Sequence, residues 1–386
     1  MKKEAPRSPS KLIYFLGRRL VLPFYNIKYN VHFRKEKLEG PFILLSNHNA
    51  YFDPFLTGSF LYPIRLNFVG GYRYSKDKLL SPLARLLGTI PKFQYDYDLS
   101  VIKDMLEVLK NKQNLALFPS GRLSTYGEEE LITKSIAKFI KKAKVNVYIQ
   151  NIEGSYFSKP KWSRTTRRGR IDVKIVRRIT KEEIDKLNIE EINEIIQENL
   201  HYNEFITQKE KKIYFKGRKL AEGLENVLFM CPRCKRLHTI ETLDNEVYCT
   251  ACNFKTTLNN YYEFNDNKIK NIYDWSKLLK EKISEIVSKD FEFKDYTDIK
   301  IFEKGKDKLI GKGEVILNKE GITFNGVFKN EKTMFKIPKS ALISLPFKSG
   351  TNFEVMYKKQ ILKFYLDNPR QIALWTLIIE ELYKNK

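Results

Sequence analysis

The chain has 386 residues, 42% of them hydrophobic, and a formal net charge of +24. That length allows two or three domains with a sizeable core, and no run of about 18 apolar residues exists to make a spanning helix. The basic excess points to anionic partners: nucleic acid, a membrane surface or acidic small molecules. Residues 10–25 read as a helix with Leu12, Ile13, Phe15, Leu16, Leu20 and Val21 as apolar members, interrupted by Arg18 and Arg19. Its first apolar stretch, Leu12 to Leu16, is too short for a signal-peptide core. Bulky apolar residues among basic ones suit the headgroup boundary of an anionic bilayer, and equally an amphipathic helix packed on its own domain.

The run Phe42–Leu45, bounded by Gly40-Pro41 and Asn47, reads as a buried strand. Directly after it stands Asn47-His48-Asn49-Ala50-Tyr51-Phe52-Asp53, with one of only four histidines and a carboxylate five residues on. This places His48 in a strand-to-helix turn, where catalytic groups of α/β proteins often sit. A histidine whose second nitrogen is held by a carboxylate can act as a general base toward a hydroxyl. Asp53-Pro54 is also a good helix start, with Asp as N-cap and Pro at the first helical position.

Strand and helix patterns alternate from about residue 40 to 180. Further strands are expected at Leu66–Val69, Leu115–Phe118, Val145–Ile152 and Ile171–Val176. Helices are expected where Ile102, Met105, Leu106 and Leu109, and then Leu131, Ile132, Ser135, Ile136, Phe139 and Ile140, keep helical spacing. The alternation predicts an α/β domain, a sheet flanked by helices. Thr180 with Glu183, and Asn188 with Glu191, form two capping-box starts. The stretch Lys159 to Arg178 is dense in Lys and Arg, and reads either as a headgroup-attracting face or as a solvated basic one.

Past residue 226 the pattern changes. Cys231-Pro-Arg-Cys234 and Cys249-Thr-Ala-Cys252 contain all four cysteines of the chain. This spacing reads as a four-cysteine structural zinc site of zinc-ribbon type in a reducing compartment, with His238 outside the ligand set. A helix over Trp275 to Val287 follows. From about 296 the pattern becomes β, with a hairpin around Asn318-Lys-Glu-Gly321. Strands follow near Phe335–Ile337, Phe353–Tyr357 and Ile361–Tyr365, and then a closing helix capped by Asn368-Pro369. The element order resembles a pleckstrin-homology-like domain.

Downstream of His48 and Asp53 come Gly88-Thr-Ile-Pro91-Lys92, then Phe118-Pro119-Ser120-Gly121-Arg122, then the strand from Val145 that runs into a turn at Gly154. In order and spacing these resemble the four motif blocks of the glycerophospholipid acyltransferases, the family of 1-acylglycerol-3-phosphate acyltransferase. The resemblance spans about residues 35–180. The first block, NHxxxxD, is matched in full by Asn47, His48 and Asp53. The second, roughly GxIPR, has Lys92 in place of Arg. In the third, usually FPEG(T)R, Ser120 stands where the family usually carries Glu. Asn146 and Ile149 seat where the fourth block usually has prolines.

The resemblance implies an α/β acyltransferase domain with a mixed sheet flanked by helices. It implies acyl transfer from acyl-CoA or acyl-carrier protein to the hydroxyl of a lysophospholipid such as 1-acylglycerol-3-phosphate, in phospholipid biosynthesis. His48 is then the base, Asp53 its orienting carboxylate, and Asn47, Lys92, Ser120, Gly121 and Arg122 the substrate-binding residues. The expected organisation is an amphipathic membrane-associating helix over 1–34, an acyltransferase domain over 35–225, a zinc ribbon over 226–257, a helical linker over 258–295 and a β-rich domain over 296–386. The expected setting is the cytoplasmic face of an anionic membrane, reached from one side. Two other readings stay open: a catalytically inactive lipid-binding or scaffold protein that kept the fold, motivated by Ser120, and a zinc-ribbon nucleic-acid-binding protein. The last gives no reason for the His-Asp motif, and nucleic acid is not an expected partner.

Overall fold

A computed structural model describes residues 8–34, 36–71, 77, 80–92, 99–303 and 305–385. The polar loop after Lys92 and the first seven residues, part of the expected membrane-associating segment, lie outside the described residues. The chain forms two compact units: one up to Lys161 together with Arg167–Lys216, the other Trp162–Thr166 with everything from Gly217 on.

The first unit is built on a seven-stranded sheet. Its strands are β1 (Val31–Phe33), β2 (Phe42–Ser46), β3 (Leu66–Gly71), β4 (Ile90–Lys92), β5 (Asn114–Leu117), β6 (Asn146–Glu153) and β7 (Ile171–Ile179), in the order β1-β7-β6-β2-β5-β3-β4. β2 runs parallel to β5 and β6, and β5 to β3. β7 is antiparallel to β6, so the sheet is mixed. β2 is buried along its whole length because both faces are covered. Ile43 and Leu45 point to one side with Val147 and Ile149, against Met105, Phe139 and Ile196 of three helices. Phe42 and Leu44 point to the other side with Tyr148, against Tyr29, Phe52 and Leu56. An apolar run with no polar alternation is what such a central strand requires.

The helices follow their capping signals. Asn188 accepts from the Glu191 amide at 2.9 Å while Glu191 accepts from the Asn188 amide at 2.7 Å, a complete capping box. Thr180 accepts from the Glu183 amide at 3.2 Å. The N-terminal helix runs from Lys11 to Tyr29 with a wide π turn at Gly17–Val21. Pro23 has no N–H to give to the preceding turn, which accounts for the widening there. Among the described residues no helix is long and apolar enough to cross a membrane.

The second unit begins with a three-stranded antiparallel sheet of β8 (Ile240–Leu243), β9 (Glu246–Cys249) and β10 (Lys255–Thr257) beside the cysteines. The helix Ile272–Ser288 locks onto it: Trp275 donates its indole N–H to the Met230 carbonyl at 2.9 Å and meets Phe254 and Phe264 edge-on. Seven antiparallel strands follow: β11 (Glu292–Glu303), β12 (Lys306–Asn318), β13 (Gly321–Phe328), β14 (Glu331–Pro338), β15 (Phe347–Lys348), β16 (Asn352–Tyr357) and β17 (Gln360–Leu366). The chain between Asn318 and Gly321 makes the expected hairpin of β12 and β13. The final helix, Gln371–Lys384, buries Ile372, Trp375, Ile378 and Leu382. The β-rich region with a final helix is therefore as the sequence predicts.

Candidate active site

β2 delivers its C-terminal end, Ser46, into a turn whose side chains are spent in a definite order. Asn47 is buried and pins the turn to β6, donating to the Ile152 carbonyl at 3.0 Å and accepting from the Ile152 amide at 2.8 Å. Both ends of its amide are thereby used on the main chain. His48 comes next. Its Nδ1 lies 3.1 Å from Asp53 Oδ2, with the imidazole 18% exposed and the carboxylate fully buried. The same Asp53 oxygen accepts from the amides of Asn49 at 2.7 Å and Ala50 at 2.8 Å. Asp53 starts the helix Asp53–Phe60, yet its carboxylate reaches back to the turn and leaves its own helix uncapped. The competition between capping and orienting is thus resolved in favour of His48.

With the proton on Nδ1 held by the carboxylate, Nε2 can act as a proton acceptor. Phe118 at the end of β5 stacks on the His48 ring, centroid to centroid 4.3 Å at 27°. The ring is therefore fixed on one face by packing and on one edge by hydrogen bonding. The amides of Asn49 and Ala50 are committed to Asp53, and that of Gly121 to the Phe118 carbonyl at 2.9 Å. These three backbone donors near His48 and Gly121 are thus engaged within the protein and do not point at a developing oxyanion.

The Phe118–Glu130 loop wraps the turn. Ser124 donates its amide to the His48 carbonyl at 2.8 Å. Ser120 is buried, and its hydroxyl donates to the Arg122 carbonyl at 3.2 Å. Gly121 holds a φ of +68° with open space where a Cβ would stand. Arg122 is buried and ion-paired with Glu130, whose other oxygen accepts from the Thr125 amide at 2.7 Å. Burial raises the Glu130 carboxyl, but Arg122, Lys161 and the Thr125 contacts together leave it below the usual range. Arg122 thus sits inside the loop rather than out in solvent. Lys92 ends β4, at the same end of the sheet as His48 but three strands from β2. At a strand spacing of 4.7–4.9 Å that is roughly 14 Å away along the sheet.

Two buried glutamates escaped the reading of the sequence. Glu204 accepts from Asn49 Nδ2 at 2.9 Å, from the Gly154 amide at 2.7 Å and from the Tyr202 hydroxyl at 3.3 Å. It ties the histidine turn to the turn after β6, where Gly154 has φ +85° and a Cβ would lie 2.4 Å from the Arg170 carbonyl oxygen. Burial pushes Glu204 up to about 8, against the pull of the Gly154 and Tyr156 amides. Glu129 is the second. Burial pushes it up to about 8, opposed by the Ser120 hydroxyl and the His48 amide and reinforced by Glu130 and Asp53. Its only sequence signal is the run Glu128-Glu129-Glu130, which ordinarily reads as a solvated loop.

The dense basic stretch is largely spent internally. Arg167 is buried. Arg164 pairs with Glu225, Arg170 with Asp172, Lys174 with Glu153, Arg177 with Glu183 and Arg178 with Glu39. Exposed apolar side chains instead gather on the N-terminal helix, at Leu12, Leu20, Phe24 and Ile27, and on Tyr51 and Phe55 beside the histidine turn. Tyr25 of that helix stacks on Phe55 at 5.4 Å, so the two groups adjoin.

In the second unit the Sγ atoms of Cys231, Cys234, Cys249 and Cys252 all lie within 4.8 Å of one another. The pairs Cys231–Cys252 and Cys234–Cys249 are 3.8 Å apart, far too long for a disulfide. Four sulfurs at a Zn–S distance of about 2.3 Å in tetrahedral array stand about 3.8 Å from each other. The donor set and its spacing fit zinc. His238 lies outside the set, and burial with Arg370 nearby lowers it to about 4.

Fold and site together define a class: an α/β protein with a carboxylate-bonded histidine at the carboxyl end of its central strand. The comparisons with known proteins bear on the same part of the chain. Residues 28–152 match the family model Acyltransferase, about a third of the chain. No curated protein matches the chain. Among solved structures it is similar to the 1-acyl-sn-glycerophosphate (LPA) acyltransferase PlsC from Thermotoga maritima, at 22% identity and a TM-score of 0.42, over 50% of this chain and 76% of that one.

Proposed function

We propose that the protein esterifies the free hydroxyl of a lysophospholipid, 1-acylglycerol-3-phosphate in the first place, with acyl-CoA or acyl-carrier protein as donor. The observation that carries this is the 3.1 Å contact between His48 Nδ1 and the buried Asp53 carboxylate. A glycerol hydroxyl is far too weak an acid to ionise at neutral pH. His48 Nε2 takes its proton as the oxygen attacks the thioester carbonyl. Asp53 stabilises the imidazolium that forms. The tetrahedral intermediate then expels the thiolate, which takes the proton back from His48. No covalent acyl-enzyme is formed.

Support for a membrane surface comes from the exposed Leu20, Phe24 and Ile27 beside Tyr51 and Phe55, at the edge of the histidine turn. An apolar acceptor held in a bilayer would meet the base there without leaving the lipid. Lys92 and Arg122 are the cations proposed for the acceptor phosphate, the latter once released from Glu130. Ser120 and Gly121 shape that loop, and Asn47 serves by anchoring the turn. A single zinc ion held by the four cysteines is proposed as a structural element, since four thiolates close its coordination sphere.

The deciding experiment incubates the purified full chain with mixed lysolipids and acyl donors and identifies the products by mass spectrometry. Acylated lysophosphatidate is expected. No turnover with any acceptor, together with retained liposome binding, would establish the inactive lipid-binding reading instead.

A further inference from the structure

The loop that follows Ser120 carries a carboxyl group with no evident task. Glu129 is more than nine-tenths buried, and both of its oxygens are enclosed without a hydrogen bond of ordinary geometry among the described residues. Its backbone is held firmly. The Glu129 amide donates to the Tyr202 carbonyl at 3.0 Å. Upstream, Ser124 grips the loop by donating its hydroxyl to the Glu128 carbonyl at 2.6 Å and accepting from the Gly127 amide at 2.9 Å. The same Ser124 donates its amide to the His48 carbonyl. The side chain therefore enters the space behind the histidine turn from a fixed base. The groups close enough to act on it are the Ser120 hydroxyl, the His48 amide, Glu130 and Asp53.

We propose that Glu129 is a positioning residue for the histidine turn, and that its carboxyl occupies, from a second point in the chain, the place next to Ser120 where the resembling family carries a glutamate in the FPEG block. Burying an acid without hydrogen-bond partners is costly, and burying a charged one more so. Its persistence in the interior needs a compensating role, and the two groups beside it supply one. A neutral acid placed beside the Ser120 hydroxyl and the His48 amide can donate to the first and accept from the second. That links the Phe118–Arg122 loop to the residue carrying the base. Ser120 is itself almost fully buried, so the site holds one acid and one small hydroxyl. Two carboxyls side by side in that space cannot both ionise, and a second one there costs stability. The arrangement is thus an exchange: a short residue at 120 goes with an acid at 129.

The proposal rests on His48 being the base for acyl transfer, and an exchange experiment separates the two ideas. Four full-length variants are compared with wild type: Glu129→Ala, Glu129→Gln, Ser120→Glu, and the double variant Ser120→Glu with Glu129→Ser. Turnover of lysophosphatidate and melting temperature are measured for each. Glu129→Ala is expected to lose at least tenfold in kcat with KM for the acyl donor unchanged. Glu129→Gln keeps the donor and acceptor pattern of the neutral acid and is expected to stay within threefold of wild type. Ser120→Glu alone is expected to lower both turnover and melting temperature, and the double variant to recover both. A folded Glu129→Ala with wild-type kcat overturns the proposal. So does a double variant no more stable and no more active than Ser120→Glu, including one that fails to fold. If wild type itself turns nothing over, the function reading fails. The melting temperatures of Ser120→Glu and the double variant still decide the exchange.

Discussion

His48 and Asp53 are joined through a single carboxylate oxygen, which also receives the Asn49 and Ala50 amides. Asp53→Asn can keep one oxygen in that place for all three donors, but it removes the negative charge that would stabilise an imidazolium. Both Asp53→Asn and His48→Ala are therefore expected to cost roughly 100- to 10,000-fold in turnover. Zinc content and melting temperature should stay those of wild type, and a purified variant with retained turnover would remove His48 from the mechanism. Glu129 leaves a different signature. Burial raises its pKa to about 8, so between its unfolded value near 4.5 and that value the folded state holds a proton that the unfolded chain has lost. Its contribution to stability is whole below about pH 4.5 and is lost as pH rises through about 8. Glu129→Gln removes the titration. The difference in unfolding free energy between variant and wild type should therefore shift toward the variant from pH 5 to pH 9, by on the order of a few kcal/mol. Chemical denaturation across that range measures it; a constant difference would mean that Glu129 ionises normally.

At the scale of elements, the N-terminal helix and the cysteine cluster each carry an expectation. Leu20, Phe24 and Ile27 are largely exposed, Ile27 by 72%, on a helix that also bears Arg18, Arg19 and Lys28. Replacing the three apolar residues by Ser is expected to weaken co-sedimentation with anionic vesicles at least tenfold, or about 1.4 kcal/mol, while leaving the melting temperature alone. Unchanged binding would assign the vesicle contact elsewhere. For the cluster, one zinc per chain is expected by elemental analysis. Its removal by a strong chelator, or Cys234→Ser, should expose the indole of Trp275, which is bonded to Met230 directly before the first cysteine, and shift its emission to the red. Emission unchanged after complete metal removal would deny the metal a structural role. These elements were legible to different degrees. Central strands such as β2 and β6 announce themselves because burial on both faces demands continuous apolar runs. β1 and β4 have three residues each, too few to show any period. The polar β11 and β12 form by long antiparallel pairing more than by apolar alternation. His48, Asp53 and the cysteines stand out because their chemistry is written in local spacing. Glu129 and Glu204 acquire their roles only when loops distant in sequence close over the turn, and no local pattern encodes that.

The whole molecule bears on whether the acyl group ever rests on the protein. All four cysteines of the chain belong to the cluster in the second unit, where their sulfurs face one another. No thiol remains in the first unit to act as a nucleophile. The serines around His48 are engaged with the main chain: Ser46 donates to the Asn47 carbonyl, Ser120 to that of Arg122 and Ser124 to that of Glu128. A serine nucleophile needs its hydroxyl directed at the base, as in nucleophile–base pairs generally. The partner of the histidine edge is Asp53, on the Nδ1 side, and in the proposed mechanism Nε2 serves the acceptor hydroxyl itself. The base can work on that hydroxyl only when acceptor and donor are bound together. Initial-rate plots should accordingly intersect for varied donor and acceptor, in place of the parallel lines of a ping-pong scheme. Radiolabelled acyl donor incubated with the protein in the absence of acceptor should leave no label after denaturation. Stoichiometric label on a serine of the Phe118–Glu130 loop would replace direct transfer by an acyl-enzyme route, with His48 then activating the protein's own hydroxyl before that of the lipid.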